Sequence, residues 1–172
     1  MLQLSGMIIN RPVMSLRTGS QVGHTLAPII NPNNLKVEGL YCQGTENKNQ
    51  LVLVSQDIRD ILPQGVVVND QEALTDPAEL VRLKPTMDLN FELMGKQVYT
   101  TDKDKLGKVS DYAVETQSMY VQKIYVTPSL FKSLGGGNLG VDRSQIVEIT
   151  DKKIVVQDLR QKVPAHAGAV AA

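Results

Sequence analysis

The amino-acid sequence predicts a mainly β protein, built as two tandem small β-barrels with a few short helical turns. Two observations predict this fold class. Short runs rich in β-branched residues, such as Gln50–Val54 and Gly65–Asn69, are separated by polar or Gly/Pro-rich turns, which is typical of small barrels. In addition, residues 10–70 align on residues 95–158 with offsets of 85, 84 and 88 along the chain, which indicates two copies of one module.

The internal alignment depends on matched apolar positions, one glycine and a closing acid. The matched pairs are Val13/Val98, Val22/Leu106, Gly23/Gly107, Leu35/Met119, Val37/Val121, Leu40/Ile124, Tyr41/Tyr125, Ile58/Ile146, Ile61/Ile149, Val66/Ile154, Val67/Val155, Val68/Val156 and Asp70/Asp158. From them we expect a first domain over residues 1–83, a connector over 84–90, a second domain over 91–161 and a disordered tail over 162–172. Modules this small are marginal alone, so we expect the copies to support each other.

The strand signals follow the same order in both copies. The predicted strands are Thr25–Ile30, Leu35–Cys42, Gln50–Val54 and Gly65–Asn69 in copy one, and Val109–Val114, Met119–Val126 and Lys153–Gln157 in copy two. Pro28 cannot donate to a ladder, so we expect an edge strand or a bulge around it.

Turns and short helices separate these strands. Gly23 and Gly107 each end a polar stretch, and we predict that both are structural turn residues with positive φ. Asp76 precedes a proline and lies three residues before a glutamate, which predicts a capped helical turn ending near Leu83. A second short helix is predicted over Thr127–Leu134.

Charge and composition bound the function. The chain has 18 basic and 18 acidic residues, and neither copy has the cationic excess of a protein that binds nucleic acid through its phosphates. The N-terminus lacks the pattern of a signal peptide, and no apolar run is long enough to span a bilayer. We therefore expect a cytoplasmic protein without a membrane span.

Reactive side chains are few. Cys42 is the only cysteine, so no intramolecular disulfide forms, and it lies in an apolar run that predicts burial. His24 and His166 are isolated in sequence, and Gly135–Gly140 satisfies G-x-G-x-x-G without the strand-to-helix context of a dinucleotide site. We predict no catalytic residue, no cofactor and no metal.

Aromatic residues are concentrated in copy two. Tyr99, Tyr112 and Tyr120 form the candidate interaction surface, because tyrosine is favoured at protein contact patches. The alternative is that most of these rings fill the core.

The repeat unit resembles the PRC-barrel family. The residues that carry the resemblance are Leu106-Gly107-Lys108-Val109, Ser144-Gln145-Ile146 and Ile154-Val155-Val156 in copy two, and Val22-Gly23, Ser55–Ile58 and Val66–Val68 in copy one. The resemblance covers about residues 7–82 and 91–160. Members include the cytoplasmic domain of the photosynthetic reaction-centre H subunit and the C-terminal domain of the ribosome maturation factor RimM.

The resemblance implies a small, bent β-barrel that holds other macromolecules and has no shared catalytic residue set. We therefore expect a non-enzymatic scaffold that binds another protein, and self-association into a homo-oligomer stays open. One alternative is an RNA-processing or ribosome-assembly accessory factor. A second alternative is a small-ligand-binding protein.

Overall fold

A computed structural model describes residues 1–128 and 137–158, and this part of the chain is mainly β. Its strands are β1 (Leu2–Leu4), β2 (Pro12–Ser15), β3 (Gln21–Asn31), β4 (Lys36–Gly44), β5 (Gln50–Val54), β6 (Ile58–Leu62), β7 (Gly65–Val68), β8 (Leu74–Thr75), β9 (Gln97–Thr100), β10 (Lys105–Glu115), β11 (Tyr120–Pro128), β12 (Leu139–Asp142), β13 (Ile146–Ile149) and β14 (Lys153–Val156). One short α-helix in the described residues, α1, spans Lys84–Asp88. The predicted fold class is confirmed in its mainly β character.

The remaining helical structure consists of short 3-10 turns. The one over Pro77–Glu79 begins as the sequence predicts, with Asp76 Oδ1 accepting a hydrogen bond from the Ala78 N–H at 2.9 Å. The helix predicted over Thr127–Leu134 lies mostly, and the tail predicted over 162–172 entirely, outside the described residues.

The strand pairings of residues 12–68, the first half, recur in residues 97–156, the second half. The antiparallel pairs are β2–β3, β3–β4, β4–β5 and β6–β7 in the first half, and β9–β10, β10–β11, β11–β12 and β13–β14 in the second. One parallel pair occurs in each half, β2–β7 and β9–β14.

The parallel pairs bring the start and end of each half together. Val13 lies opposite Val66, and Val98 lies opposite Ile154; all four side chains are buried. Burying apolar side chains stabilises the fold by about 25 cal/mol per Å² of surface removed from water, so these pairs anchor the core of each half.

Pro28 lies within β3, opposite Leu40 of β4. The ladder between these strands shifts register between Thr25 and Ala27 and again between Ile29 and Ile30. Both alternatives of the sequence prediction apply here. Pro28 lies between the two register shifts, and β2 pairs with β3 over residues 21–24, so among the described strands Pro28 has a ladder neighbour on the β4 side alone.

The two halves meet through a reciprocal contact between β4 and β11. The Val37 N–H donates to the Met119 carbonyl at 2.8 Å, and the Val121 N–H donates to the Leu35 carbonyl at 2.9 Å. Leu35 and Met119 share a left-handed backbone, with φ of 57° and 59°, and both are buried. These four residues form two pairs that the sequence alignment matches, so the contact has approximate two-fold symmetry and makes one continuous sheet.

The segment that precedes each half packs on the other half. Strand β1 pairs with β10, with Gln3 opposite Val114, while α1 packs against β3. The buried Ser5 hydroxyl donates to Asp111 Oδ1 at 2.6 Å and fixes this crossing. Residues 2–4 therefore lie on the second half, although the sequence assigns them to the first domain; the boundary at residue 83 stays a prediction.

Replacing Ser5 with alanine is expected to lower the free energy of unfolding by about 1–2 kcal/mol, because a buried hydrogen bond to a carboxylate is lost. Urea denaturation of the full chain measures this. Ser20→Ala is the matched control, since Ser20 is exposed and its replacement should change stability by less than about 0.5 kcal/mol. Equal stability of the Ser5 variant and the wild type would contradict the anchoring role.

Candidate functional site

The outer face of β14, β9 and β10 is the candidate interaction site. Tyr99 of β9 lies opposite Val155 of β14 on one side and Lys105 of β10 on the other. Because side chains alternate along a strand, Val98 and Thr100 point into the core and are buried, whereas Tyr99 is half-buried on the outer face.

An open cavity of about 640 Å³ lies over this face. Its apolar floor comes from Tyr99 and Val155, and three exposed cations, Lys103, Lys152 and Lys153, line it. We call these five residues the lysine groove. Glu148 is the acidic side chain among the described residues that line the cavity, so the groove has a cationic excess.

A second open cavity of about 450 Å³ adjoins the lysine groove and shares Gln97 and Lys152 with it. Gln97 Oε1 is buried and has no hydrogen-bond partner within the described part of the chain. The ammonium of Lys96 lies 4.7 Å from the centre of the Phe91 ring and donates to the Asp151 carbonyl at 2.6 Å. This contact joins the residue before β9 to the turn between β13 and β14, and both residues line the second cavity.

Of the three predicted surface tyrosines, Tyr112 is not at the surface. Its side chain is fully buried in β10, opposite Ile124, and the prediction that it contacts a partner is wrong. Burial, and then the nearby carboxylate of Asp111, raise the pKa of the Tyr112 hydroxyl above its ordinary value. The alternative, that this ring fills the core, is the one observed.

Tyr120 lies apart from the lysine groove, at the join between the halves. It is half-buried opposite Lys36, and the Arg143 guanidinium lies 4.5 Å from the centre of its ring. The structure therefore places Tyr99, Tyr112 and Tyr120 in three separate environments, and only Tyr99 belongs to the groove.

The two predicted turn glycines lie inside strands, two or more residues after the hairpin turn. Gly107 has the predicted positive φ, 147°, but Gly23 does not. A Cβ on Gly23 would lie 2.6 Å from the Gln43 carbonyl oxygen, so close backbone approach explains a glycine there. The left-handed turn residues are instead Gly19 and Lys103, both with φ of 67°.

Cys42 and His24 lie on the paired strands β4 and β3 but in different environments. Cys42 is fully buried, as predicted, opposite Thr25, whereas His24 is half-buried opposite Gln43. His166 lies outside the described residues. Gly140, at the end of the glycine-rich run, lies in β12.

Native Cys42 is expected to react with Ellman's reagent at least about 100-fold more slowly than the unfolded chain, because the thiolate is the nucleophile. Burial raises the pKa of this thiol to about 12, although a backbone hydrogen bond from Leu53 acts in the opposite direction. Stopped-flow absorbance with and without urea measures the ratio. Similar rates in the two states would show that the thiol is accessible.

The same pKa change makes stability depend on pH. The pKa of the Cys42 thiol is higher in the folded state than in the unfolded state. The contribution of the neutral thiol to the free energy of unfolding is therefore complete below the unfolded pKa of about 8.5 and is lost as pH rises toward 12. Urea midpoints should therefore fall across this window, and they should fall less steeply in Cys42→Ala.

Sequence reasoning did not find the cationic part of the lysine groove. Lys103 is in a mixed-charge turn that resembles an ordinary solvated surface, and Lys152 and Lys153 are about fifty residues further along the chain. The parallel pairing of β9 with β14 brings them together. Because Lys103 is far in sequence from Lys152 and Lys153, no local motif could have indicated this arrangement.

No group of three or more His, Cys, Asp or Glu side chains within residues 1–128 and 137–158 is arranged to hold a metal ion. None of the helices in that same part of the chain has the length and apolar character of a membrane span.

Comparison with known proteins identifies the domain that carries the groove. Residues 86–163 match the family model described as the PRC-barrel domain. Among curated proteins, none matches the chain significantly. The matched range contains β9 to β14 and agrees with the resemblance drawn from copy two, while the resemblance of residues 7–82 stays a prediction.

Proposed function

We propose that this chain, which carries a PRC-barrel domain over residues 86–163, is a non-enzymatic cytoplasmic scaffold that binds another protein. In this proposal the first half is a second barrel of the same type, since its strand pairings follow the same order.

The observation that carries the proposal is the lysine groove. A half-buried tyrosine and valine lie on the outer face of three neighbouring strands of the sheet, and cations surround them. Tyrosine contributes a large, fairly rigid surface to protein contacts, and a rim of charges favours association and selects partners. The paired strands β14, β9 and β10 beneath the groove fix the backbone positions of Tyr99 and Val155.

The join between the halves supports a scaffold role. Backbone hydrogen bonds of 2.8 and 2.9 Å and the exchange of the preceding segments hold the halves as one sheet. A surface on one half is therefore presented in a fixed orientation relative to the other half, which is what a scaffold requires.

Affinity capture from native cytoplasm, followed by reconstitution with the purified partner, tests this proposal. We expect a protein that is retained in stoichiometric amounts and binds again when both components are pure. Turnover of a metabolite that is abolished by changing one polar residue would overturn the non-enzymatic part. Co-sedimentation with ribosomal particles at low salt, with no free protein partner, would favour the ribosome-assembly alternative instead.

A further inference from the structure

We propose that the lysine groove binds an extended acidic segment of a partner protein. Apolar side chains of that segment pack on Tyr99 and Val155, and its carboxylates lie against Lys103, Lys152 and Lys153. This inference rests on the proposed protein-binding function and specifies the chemistry of the partner.

The first half serves as an internal comparison for the groove. Met14 lies opposite Val67 there, as Tyr99 lies opposite Val155 in the second half. Five lysines of the second half correspond in sequence to residues that are not lysine or arginine, in the pairs Lys103/Gly19, Lys105/Gln21, Lys108/His24, Lys152/Gln64 and Lys153/Gly65. Because the same pairings form without these lysines, the fold does not require them, and a binding role accounts for their presence.

The cations flank the apolar floor from both sides. Lys105 and Lys108 on β10 lie opposite Tyr99 and Gln97 in the ladder, and both are exposed. Lys153 lies opposite Gln97 from the other neighbour, β14. A ligand seated on Tyr99 therefore meets positive charge at both margins, which is complementary to an acidic chain.

An extended polypeptide fits this arrangement better than other polyanions do. Side chains i and i+2 of a strand lie on the same face, about 6.6 Å apart, so a segment with apolar and acidic residues at every second position can present both to the floor and the margins. Single-stranded nucleic acid would instead need several stacking rings along a basic track, whereas Tyr99 is the aromatic residue of this cavity's lining.

The test uses the full chain and a fluorescein-labelled short peptide in which glutamate and leucine take turns at every second position, with serine between them, so that both lie on one face of the extended peptide. Fluorescence anisotropy should show binding that weakens as salt is added, since about 0.15 M salt already screens exposed charges beyond about 8 Å. The triple variant Lys103→Gln, Lys152→Gln and Lys153→Gln should bind the peptide about tenfold more weakly. A peptide with glutamine in place of glutamate should lose binding by a similar factor.

The matched control removes three cations from exposed positions outside the lysine groove, with Arg17→Gln, Lys48→Gln and Arg82→Gln. This variant has the same net charge as the groove variant and should bind the peptide as the wild type does. Circular dichroism of each variant checks that the fold is retained.

Three outcomes would overturn the inference. They are equal peptide binding by the groove variant and the wild type, an equal loss in both triple variants, and stronger binding of a single-stranded oligonucleotide or a phosphatidylserine vesicle at the same lysines. A reconstituted protein partner that binds the wild type and the groove variant equally would overturn the groove but leave the proposed protein-binding function in place.

Discussion

Replacing Gly107 with valine is expected to lower the free energy of unfolding by about 2–6 kcal/mol. Its φ of 147° lies in a region that side-chain-bearing residues rarely adopt, which costs about 1–3 kcal/mol. A Cβ there would also lie 1.9 Å from the Thr127 carbonyl oxygen, so β10 and β11 must separate, which costs about 1–3 kcal/mol more. Since a whole domain is stable by only about 5–15 kcal/mol, this loss is a large fraction of the total stability.

Urea denaturation followed by circular dichroism measures this loss. Gly6→Ala is the control, because no atom lies within 4 Å of a Cβ at that position and its φ is not positive. The control should change stability by less than about 0.5 kcal/mol. An unchanged unfolding midpoint for Gly107→Val would mean that β10 and β11 do not approach each other at this glycine.

Replacing Tyr112 with alanine should cost about 3–5 kcal/mol, because it leaves a cavity where the largest fully buried side chain of the described core lies. Tyr112→Phe, in contrast, should not lower the free energy of unfolding. The Tyr112 hydroxyl is buried and has no hydrogen-bond partner within residues 1–128 and 137–158, so its removal should leave stability unchanged or raise it by about 1 kcal/mol.

Comparing Tyr112→Phe with Tyr99→Ala separates the role of the core tyrosine from that of the surface tyrosine. Tyr112→Phe keeps the ring and should bind the acidic peptide with wild-type affinity, whereas Tyr99→Ala should weaken peptide binding without a large loss of stability. Thermal unfolding and peptide anisotropy on the same samples give both readouts. A loss of more than about 1 kcal/mol in Tyr112→Phe would show that the hydroxyl has a hydrogen-bond partner after all.

The contrast between Tyr99 and Tyr112 shows why sequence reasoning places both on one surface, although Tyr112 is buried. Val109 points into the core, and regular alternation would then turn Tyr112 outward. The ladder between β10 and β11 shifts register between Val109 and Asp111, so the alternation reverses and Tyr112 is buried. A bulge depends on the partner strand as well as on the local residues, so the apolar pattern of β10 alone does not reveal it.

Local residues alone determined a large part of the fold. β-branched runs predicted the strands, Asp76 predicted a capped turn, and the match of Leu35 with Met119 placed two residues that share a left-handed backbone. These features depend on backbone preferences and on short-range alternation, which act within a few residues and are therefore readable in order along the chain.

Only the tertiary structure decided which of these segments touch. Strand β1 crosses to β10, and the parallel pairing of β9 with β14 brings Lys152 and Lys153 beside Tyr99. Backbone hydrogen bonds are the same for every residue type except proline, so a strand carries little information about its distant partner. Strands pair in the arrangement that buries all the apolar faces at once, and the lysine groove results from that arrangement.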